Sequence, residues 1–337
     1  MLRYAASRLV QAAAMVLLAT LAIFLIANSV PGDPVLLQLG DLGASNPAMV
    51  AAFRHKWGLD LPLWERYGIF LDGLLHADLG NSIASRRPVL DDIADYAPAT
   101  IELGTIAFAL ALAVGLPLGV LAAVRRDSWI DHLARMLSLV GVSTPTFWLA
   151  FIMLAIFYGA LDLAPGPGRL DPIAFPPPRA TGFLLIDTVL AGDWDTFHDA
   201  VAHLVLPAIV LASGTLGLVT RTTRAAMLEA LSQDYVRVAH AKGLRARRVV
   251  LGHALPNALL PVVTLGGLAY ANLLSGAVLT ETVFSWPGLG RYTFQSAVSL
   301  DFPAIMGMTT IIAAVFVLVN FLVDMSYALL DPRVVRK

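Results

Sequence analysis

Six stretches of this 337-residue chain contain no Asp, Glu, Lys or Arg and exceed the ~18 residues that a bilayer demands of a crossing helix. They are 9–32, 103–124, 136–161, 200–220, 249–280 and 302–323. The next in length, 42–53, is too short and contains Pro47. Segments such as Ile106 to Leu116 and Ile311 to Val323 are apolar on every side, which suits lipid. The expected fold class is therefore an all-α, polytopic membrane protein with six transmembrane helices. Composition agrees: 58% of residues are hydrophobic and 14% charged, against roughly 45–50% and 25% in a soluble domain. A conventional soluble enzyme and a disordered chain are both excluded.

The first stretch needs separating from a cleaved signal peptide. Leu9 to Val30 spans 22 residues, beyond the ~7–15 of a signal h-region. It is read as a retained first span. Basic residues then set the orientation. With the N-terminus in the cytoplasm, 15 of the 23 basic and 6 of the 24 acidic residues fall inside. Lys and Arg near span ends orient a chain, so both termini are expected in the cytoplasm.

Residues 1–30 thus hold the cytoplasmic N-terminus and first span, 31–98 an external cap, and 99–337 a core with the other five spans. The cap opens with the helix-stopping Pro31-Gly32-Asp33-Pro34. Trp57, Trp64, Tyr67 and Phe70 argue that it packs rather than dangles. The external loop 162–199 holds Pro165-Gly166-Pro167-Gly168 and Pro176-Pro177-Pro178, which exclude helix. Its acids Asp187, Asp193, Asp195 and Asp199 lack a tight oxygen-ligand pattern and read as a solvated face rather than a metal site.

The internal loop 221–256 is far longer than a reversal requires. Ser232 is expected to cap a helix from Gln233 to Lys242, with Asp234 in its first turn and Gly243 as its stop. Tyr235, Val238, Ala239 and Lys242 fall along one side; Arg237, Ala241 and Leu244 fall along another. Two readings stand side by side. The arginines Arg245, Arg247 and Arg248 suit anionic lipid headgroups. The small residues Ala239, Ala241 and Gly243 suit a groove on another protein.

Enzyme chemistry finds little support. There is no cysteine, no GxxxxGK[ST] loop and no HExxH pairing. Ser82, Ser143 and Ser285 have no nearby base, and His240 and His253 fall at the inner membrane surface. Asp324, near the inner end of the last span, suits either a structural bond to backbone or Arg, or a transport role. Glu102 and Glu281, near outer span ends, would line an external mouth or sit in packing. Gly115 and Gly119 form a GxxxG pair suited to helix contact. Pro117, Pro145, Pro207 and Pro261 would kink spans or merely pack.

The internal loop resembles the EAA loop of ABC importer permeases. Arg237-Val238-Ala239 stands at the Glu-Ala-Ala position, Gly243 at the glycine, and Leu255-Pro256 at the end. The missing Glu fits the peptide-permease branch, whose Asp-Tyr-Val-Arg-x-Ala-x-Ala-Lys-Gly pattern is met by Asp234 to Gly243 (DYVRVAHAKG), with His240 at a position often Arg. Gly80-Asn81-Ser82, Arg87-Pro88-Val89, Pro98 to Leu103, Pro145 to Leu149, His253 to Val262, Glu281 to Gly290 and Tyr327 to Arg333 extend the likeness along nearly the whole chain. It resembles the B-type subunit of oligopeptide and dipeptide permeases.

That resemblance implies a type I ABC importer permease fold, with a periplasmic cap after the first helix and a cytoplasmic coupling helix. It implies a non-catalytic inner-membrane subunit of a bacterial, binding-protein-dependent importer, with dipeptides or oligopeptides as cargo. Nickel chelates, glutathione or oligosaccharides are alternative cargoes. Its partners would be a second homologous permease, two cytosolic ATPases that alone bind ATP, a periplasmic or lipid-anchored substrate-binding protein, and membrane lipid. No cofactor, metal or nucleic acid is expected. Asp234, Tyr235, Arg237, Ala239, His240, Lys242, Gly243, Leu255 and Pro256 would contact the ATPase. An ion-driven secondary transporter would instead require charged groups in mid-membrane and inverted repeats, and neither is present.

Overall fold

The structure, a computed structural model, describes residues 2–29, 45–56, 60–275 and 277–330. Pro31 to Pro34, Trp57 and Asp331 to Arg333 lie outside them. The secondary structure of the described residues is helical, with one isolated bridge between Asn81 and Pro88. Among the described residues, five helices are long and apolar enough to cross a membrane, and a sharply bent pair passes the same test as a sixth span when its two halves are taken together.

Helix α1 (Leu2–Ser29) is the first span, and α2 (Pro47–Lys56) and α3 (Leu63–Leu75) follow it in the cap. Helix α3 lies against α1: the Phe24 ring sits 5.3 Å from Tyr67 and 6.0 Å from Phe70, and Thr20 shares a hydrogen bond with the Tyr67 hydroxyl at 3.1 Å. Tyr67 and Phe70 of the cap therefore pack, and they pack on the first span, whereas Trp64 is exposed.

The second span, α4 (Val89–Val124), starts well before its charge-free run. Asp91 and Asp92 sit in its first turn, where the positive end of the helix dipole favours acids. Ser82 and Asp301 fasten this end. The Ser82 hydroxyl and the Ala84 N–H both donate to Asp301, which also caps the last span through the Ala304 N–H.

The third crossing is not one helix. Helix α5 (Trp129–Ser143) and helix α6 (Thr146–Met153), which continues as a π-helix over Leu154–Ala160, meet at a bend of 104°. The charge-free run 136–161 reads as a single span, so the break is a correction. Pro145 sits at the break and forms the N-cap of α6, where its missing N–H costs nothing.

Helix α7 (Leu184–Ala191) precedes the long α8 (Trp194–Leu231). The Asp193 carboxylate accepts the Thr196 N–H and hydroxyl at 3.0 and 2.6 Å, a side-chain cap that starts α8. Asp187 accepts the backbone N–H groups of Thr181 and Gly182, and Asp199 that of Asp171. Three of the four loop acids thus pin backbone instead of forming a solvated face.

Helix α8 is the central element. It packs on α4 through Leu103, Ala107 and Ala111 against Leu204, Ala208 and Leu211. Two glycines permit close approach. A Cβ on Gly119 would stand 2.7 Å from the Thr220 carbonyl oxygen, and one on Gly141 of α5 would stand 2.5 Å from that of Ser213. The GxxxG pair therefore serves helix contact, as its spacing suggests.

After α8 come α9 (Asp234–Ala241) and the short α10 (Ala246–Val249). A π-turn over Val250–Ala254 then leads into the fifth span, α11 (Leu255–Leu274). The π-turn has a local cause: a proline ring crowds the carbonyl four residues back, here Gly252 behind Pro256, and widening the helix relieves it. Helices α12 (Val278–Val283) and α13 (Leu289–Val298) form the corner before the last span, α14 (Phe302–Leu330). Asp324 of α14 pairs with Arg8 of α1 at 3.4 Å, so this acid ties the first span to the last.

Candidate functional site

Helix α9 hangs from α8 by two residues. The Ser232 and Gln233 N–H groups bond back to Glu229 and Ala230, so the reversal is tight. Gln233, not Ser232, is the N-cap; the Ser232 hydroxyl donates to the Glu229 carbonyl at 2.7 Å and is no longer free to cap. The stop is Gly243. Its φ of +75° is a left-handed conformation, and the Gly243 and Leu244 N–H groups bond back to His240 and Ala239.

Two faces of α9 differ. Val236 and Ala239 are buried with Val249, flanked by Leu231 and Leu244. Asp234, Tyr235, Arg237, Val238, His240, Lys242 and Gly243 are exposed. The pattern separates Ala239 from Tyr235 and Val238, which the sequence grouped on one side: Ala239 serves the chain's own packing. Arg237 and Asp234 pair at 3.3 Å, but both are exposed, and such pairs contribute little. Leu255 is half-buried beside the cluster of Val120, Ala123, Met227 and Ala258, while Pro256 is exposed. The result is a short rod with one face fixed to its own protein and the other, carrying Tyr235, Arg237 and Val238, open.

A second feature sits nearby, and sequence reading passed over it. Asp131 of α5 is fully buried and accepts two hydrogen bonds from Arg224 of α8, at 2.5 Å from Nε and 2.8 Å from Nη2. The Asp127 N–H donates to it at 3.0 Å and Arg135 lies 3.5 Å away. This forked geometry is the strong form of a carboxylate–guanidinium contact. It locks the start of α5 to α8 less than three turns before α9. In the sequence both residues count only as orientation charges; the one hint is an acid lying among Arg125, Arg126 and Arg135.

At the opposite end of the bundle, Glu281 of α12 is buried and serves as a hub. It accepts the Thr100 hydroxyl at 2.8 Å and the Arg291 N–H at 2.9 Å, and Thr100 in turn accepts the Leu289 N–H at 2.7 Å. Burial raises its proton affinity above the usual carboxylate range, and the hydrogen bonds from Arg291, Thr100 and Gly290 oppose that rise. Glu102 of α4 is also buried; it pairs with Arg169 and accepts the Leu185 N–H at 2.9 Å. The Arg169 guanidinium lies 5.5 Å from the centre of the Trp286 ring, and the Trp286 N–H donates to the Ala99 carbonyl. Both glutamates therefore join the loops between spans to α4 from within the packing, and neither opens onto solvent.

Among the described residues, no group of three or more His, Asp or Glu is placed to hold a metal ion.

Comparison with known proteins bears on what these features serve. Residues 1–104 match the family described as binding-protein-dependent transport system membrane component, N-terminal, and residues 115–336 match the binding-protein-dependent transport system inner membrane component. The probable D,D-dipeptide transport system permease protein DdpB of Escherichia coli K12 is 48% identical over 313 residues, 93% of this chain and 92% of its own. The dipeptide transport system permease protein DppB of the same strain is 45% identical over 320 residues, 94% of each chain. The di/tripeptide transport system permease protein DppB of Pseudomonas aeruginosa UCBPP-PA14 is 44% identical over 315 residues, 94% of this chain and 93% of its own. A solved methionine ABC transporter, MetNI, in inward-facing conformations matches 72% of this chain and 94% of its own at 18% identity and a TM-score of 0.48.

Proposed function

This chain belongs to the binding-protein-dependent transport system inner membrane component family, and from that membership we propose how it works: as half of a peptide pathway, driven through α9 by a cytosolic ATPase. It is a multi-pass inner-membrane permease subunit of a peptide importer. The named relatives, permeases for dipeptides and tripeptides, support short peptides as cargo. In this reading a second, homologous permease supplies the other half of the pathway. Two ATPases bind below, and an external binding protein delivers the peptide. Both termini lie in the cytoplasm, on the charge distribution of the loops.

One observation carries the coupling: α9 has one face buried in its own chain and the opposite face bare. A rod so mounted can be gripped without being torn loose. Tyr235, Arg237, Val238, His240 and Lys242 would meet the ATPase, with Asp234 and Gly243 at the rod's ends. Ala239 and Leu255 would hold it from behind, and Pro256 would set the exit into α11. Because only Ser232 and Gln233 separate α9 from α8, displacement of the rod reaches the central span directly. The two states of the pathway are then two packings biased by the nucleotide state of the motor.

Co-expression with the cognate ATPase subunits should recover a complex, and recovery of the permease alone would remove this reading. Gly243→Asp sharpens the test. A side chain at a left-handed position costs roughly 1–2 kcal/mol, and nothing lies within 4 Å to obstruct it, so the protein still folds. Membrane insertion should be normal and hydrolysis retained, with peptide uptake per ATP reduced about tenfold, the equivalent of 1.4 kcal/mol. Undiminished uptake would remove α9 as the lever.

A further inference from the structure

We propose that the break in the third crossing, Ser143-Thr144-Pro145-Thr146, lines the path of the peptide and offers polar groups to its backbone amides; this rests on the peptide-importer reading above. The break lies deep. Gly141, just before it, abuts Ser213 of α8, and Ala150, just after it, packs with Leu206 and Val210. Those partners sit around the middle of the charge-free run 200–220, hence at the middle of the bilayer.

The break is also bare. Ser143 and Pro145 are exposed, Thr144 and Thr146 are partly so, and Phe147 and Trp148 beside them are 42% and 54% exposed. The hydrogen bonds that close the two helices are Thr144 N–H to Val140 and Leu149 N–H to Pro145. No side chain caps the first turn of α6, so its leading N–H groups gain nothing from the cap residue. Hydrocarbon cannot satisfy such groups, and irregular backbone at membrane depth is tolerated only inside protein or beside water. In the chain itself this surface is uncovered. A passing peptide has amides of its own to satisfy in the same low-dielectric zone. Hydroxyls at Ser143, Thr144 and Thr146 both donate and accept, and the rings of Phe147 and Trp148 offer an apolar wall that does not select among side chains.

The chain lacks cysteine, which makes the experiment direct. Ser143→Cys, Thr146→Cys and Leu18→Cys are each placed in the assembled transporter. Leu18 is 67% exposed near the middle of α1 and reports lipid. A membrane-impermeant anionic methanethiosulfonate is the label, and the dipeptide Ala-Ala with binding protein and ATP is the challenge. Ser143→Cys and Thr146→Cys should react at least about tenfold faster than Leu18→Cys, since the thiolate reacts and apolar surroundings suppress it. The challenge should slow the two break positions severalfold and leave Leu18→Cys unchanged. Rates equal to Leu18→Cys in every state would overturn the proposal and mark the break as sealed by lipid or by the second permease. Fast labelling that Ala-Ala leaves unchanged would overturn it as well. Uptake of Ala-Ala by the cysteine-free parent tests the function separately. Fast labelling without that uptake would refute the peptide reading while still showing water at the break.

Discussion

Asp131→Ala should destabilise the permease by about 3 kcal/mol, the lower end of the cost of stripping one partner from a buried ion pair. Arg224 would keep its charge with its forked acceptor gone, and only a fifth of its side chain reaches solvent. Arg135 and the Asp127 N–H would lose a partner at the same time. The midpoint of thermal unfolding in detergent, followed by tryptophan fluorescence, should fall clearly. Asp131→Asn retains an acceptor and should fall less. If α5 must follow α8 during the stroke, the transporter assembled with Asp131→Asn should also hydrolyse ATP with reduced uptake. An Asp131→Ala protein that melts with the parent would show that the pair holds nothing.

Gly288→Ala should have an effect of similar size at the opposite end. Gly288 has an ordinary φ of −115°, so the cause is space alone. A Cβ there would stand 2.5 Å from both the Glu281 carboxylate and the Thr100 hydroxyl. Neither atom is a free end: each is buried and held by the hydrogen bonds that join α4, α12 and α13. Overpacking costs about 1–3 kcal/mol, and prising a buried carboxylate from its donors adds about 1–3 kcal/mol more. Glu281→Ala removes the carboxylate part of the obstruction along with the hub, and leaves the Thr100 hydroxyl without that acceptor and freer to turn aside. The double variant should therefore lose less than the two single losses together, which a double-mutant cycle on unfolding midpoints would reveal. Strict additivity would mean that the methyl and the carboxylate never met.

Much of this architecture is legible in the sequence because hydrocarbon is an unforgiving solvent. Charge-free runs locate α1, α8, α11 and α14 without any knowledge of packing. The runs err at helix ends for a definite reason. Asp91 and Asp92 suit the start of α4, and Arg224 is neutralised within α8, so both helices continue past charges that a count treats as boundaries. The broken crossing is hidden by the same logic: 136–161 has no charge, and Pro145 looks like any proline in a membrane helix. Gly243 is readable because its demand is local, a left-handed stop. Asp131 with Arg224, and Glu281 with Thr100, are not readable, because partners 93 and 181 positions apart leave no periodic trace. Even on α9, helical spacing sorts residues into sides but cannot say that the chain itself claims Ala239.

The grip on α8 has a mechanical consequence. Ser213, where Gly141 presses in, divides the helix into nearly equal halves, Trp194 to Ser213 and Ser213 to Leu231. Moving as one body about Ser213, with Pro207 inside it, such a helix would behave as a see-saw with a ratio near one. A sideways push at the tip that carries α9 would swing the far tip by a similar distance the opposite way, opening one side of the membrane as it shuts the other.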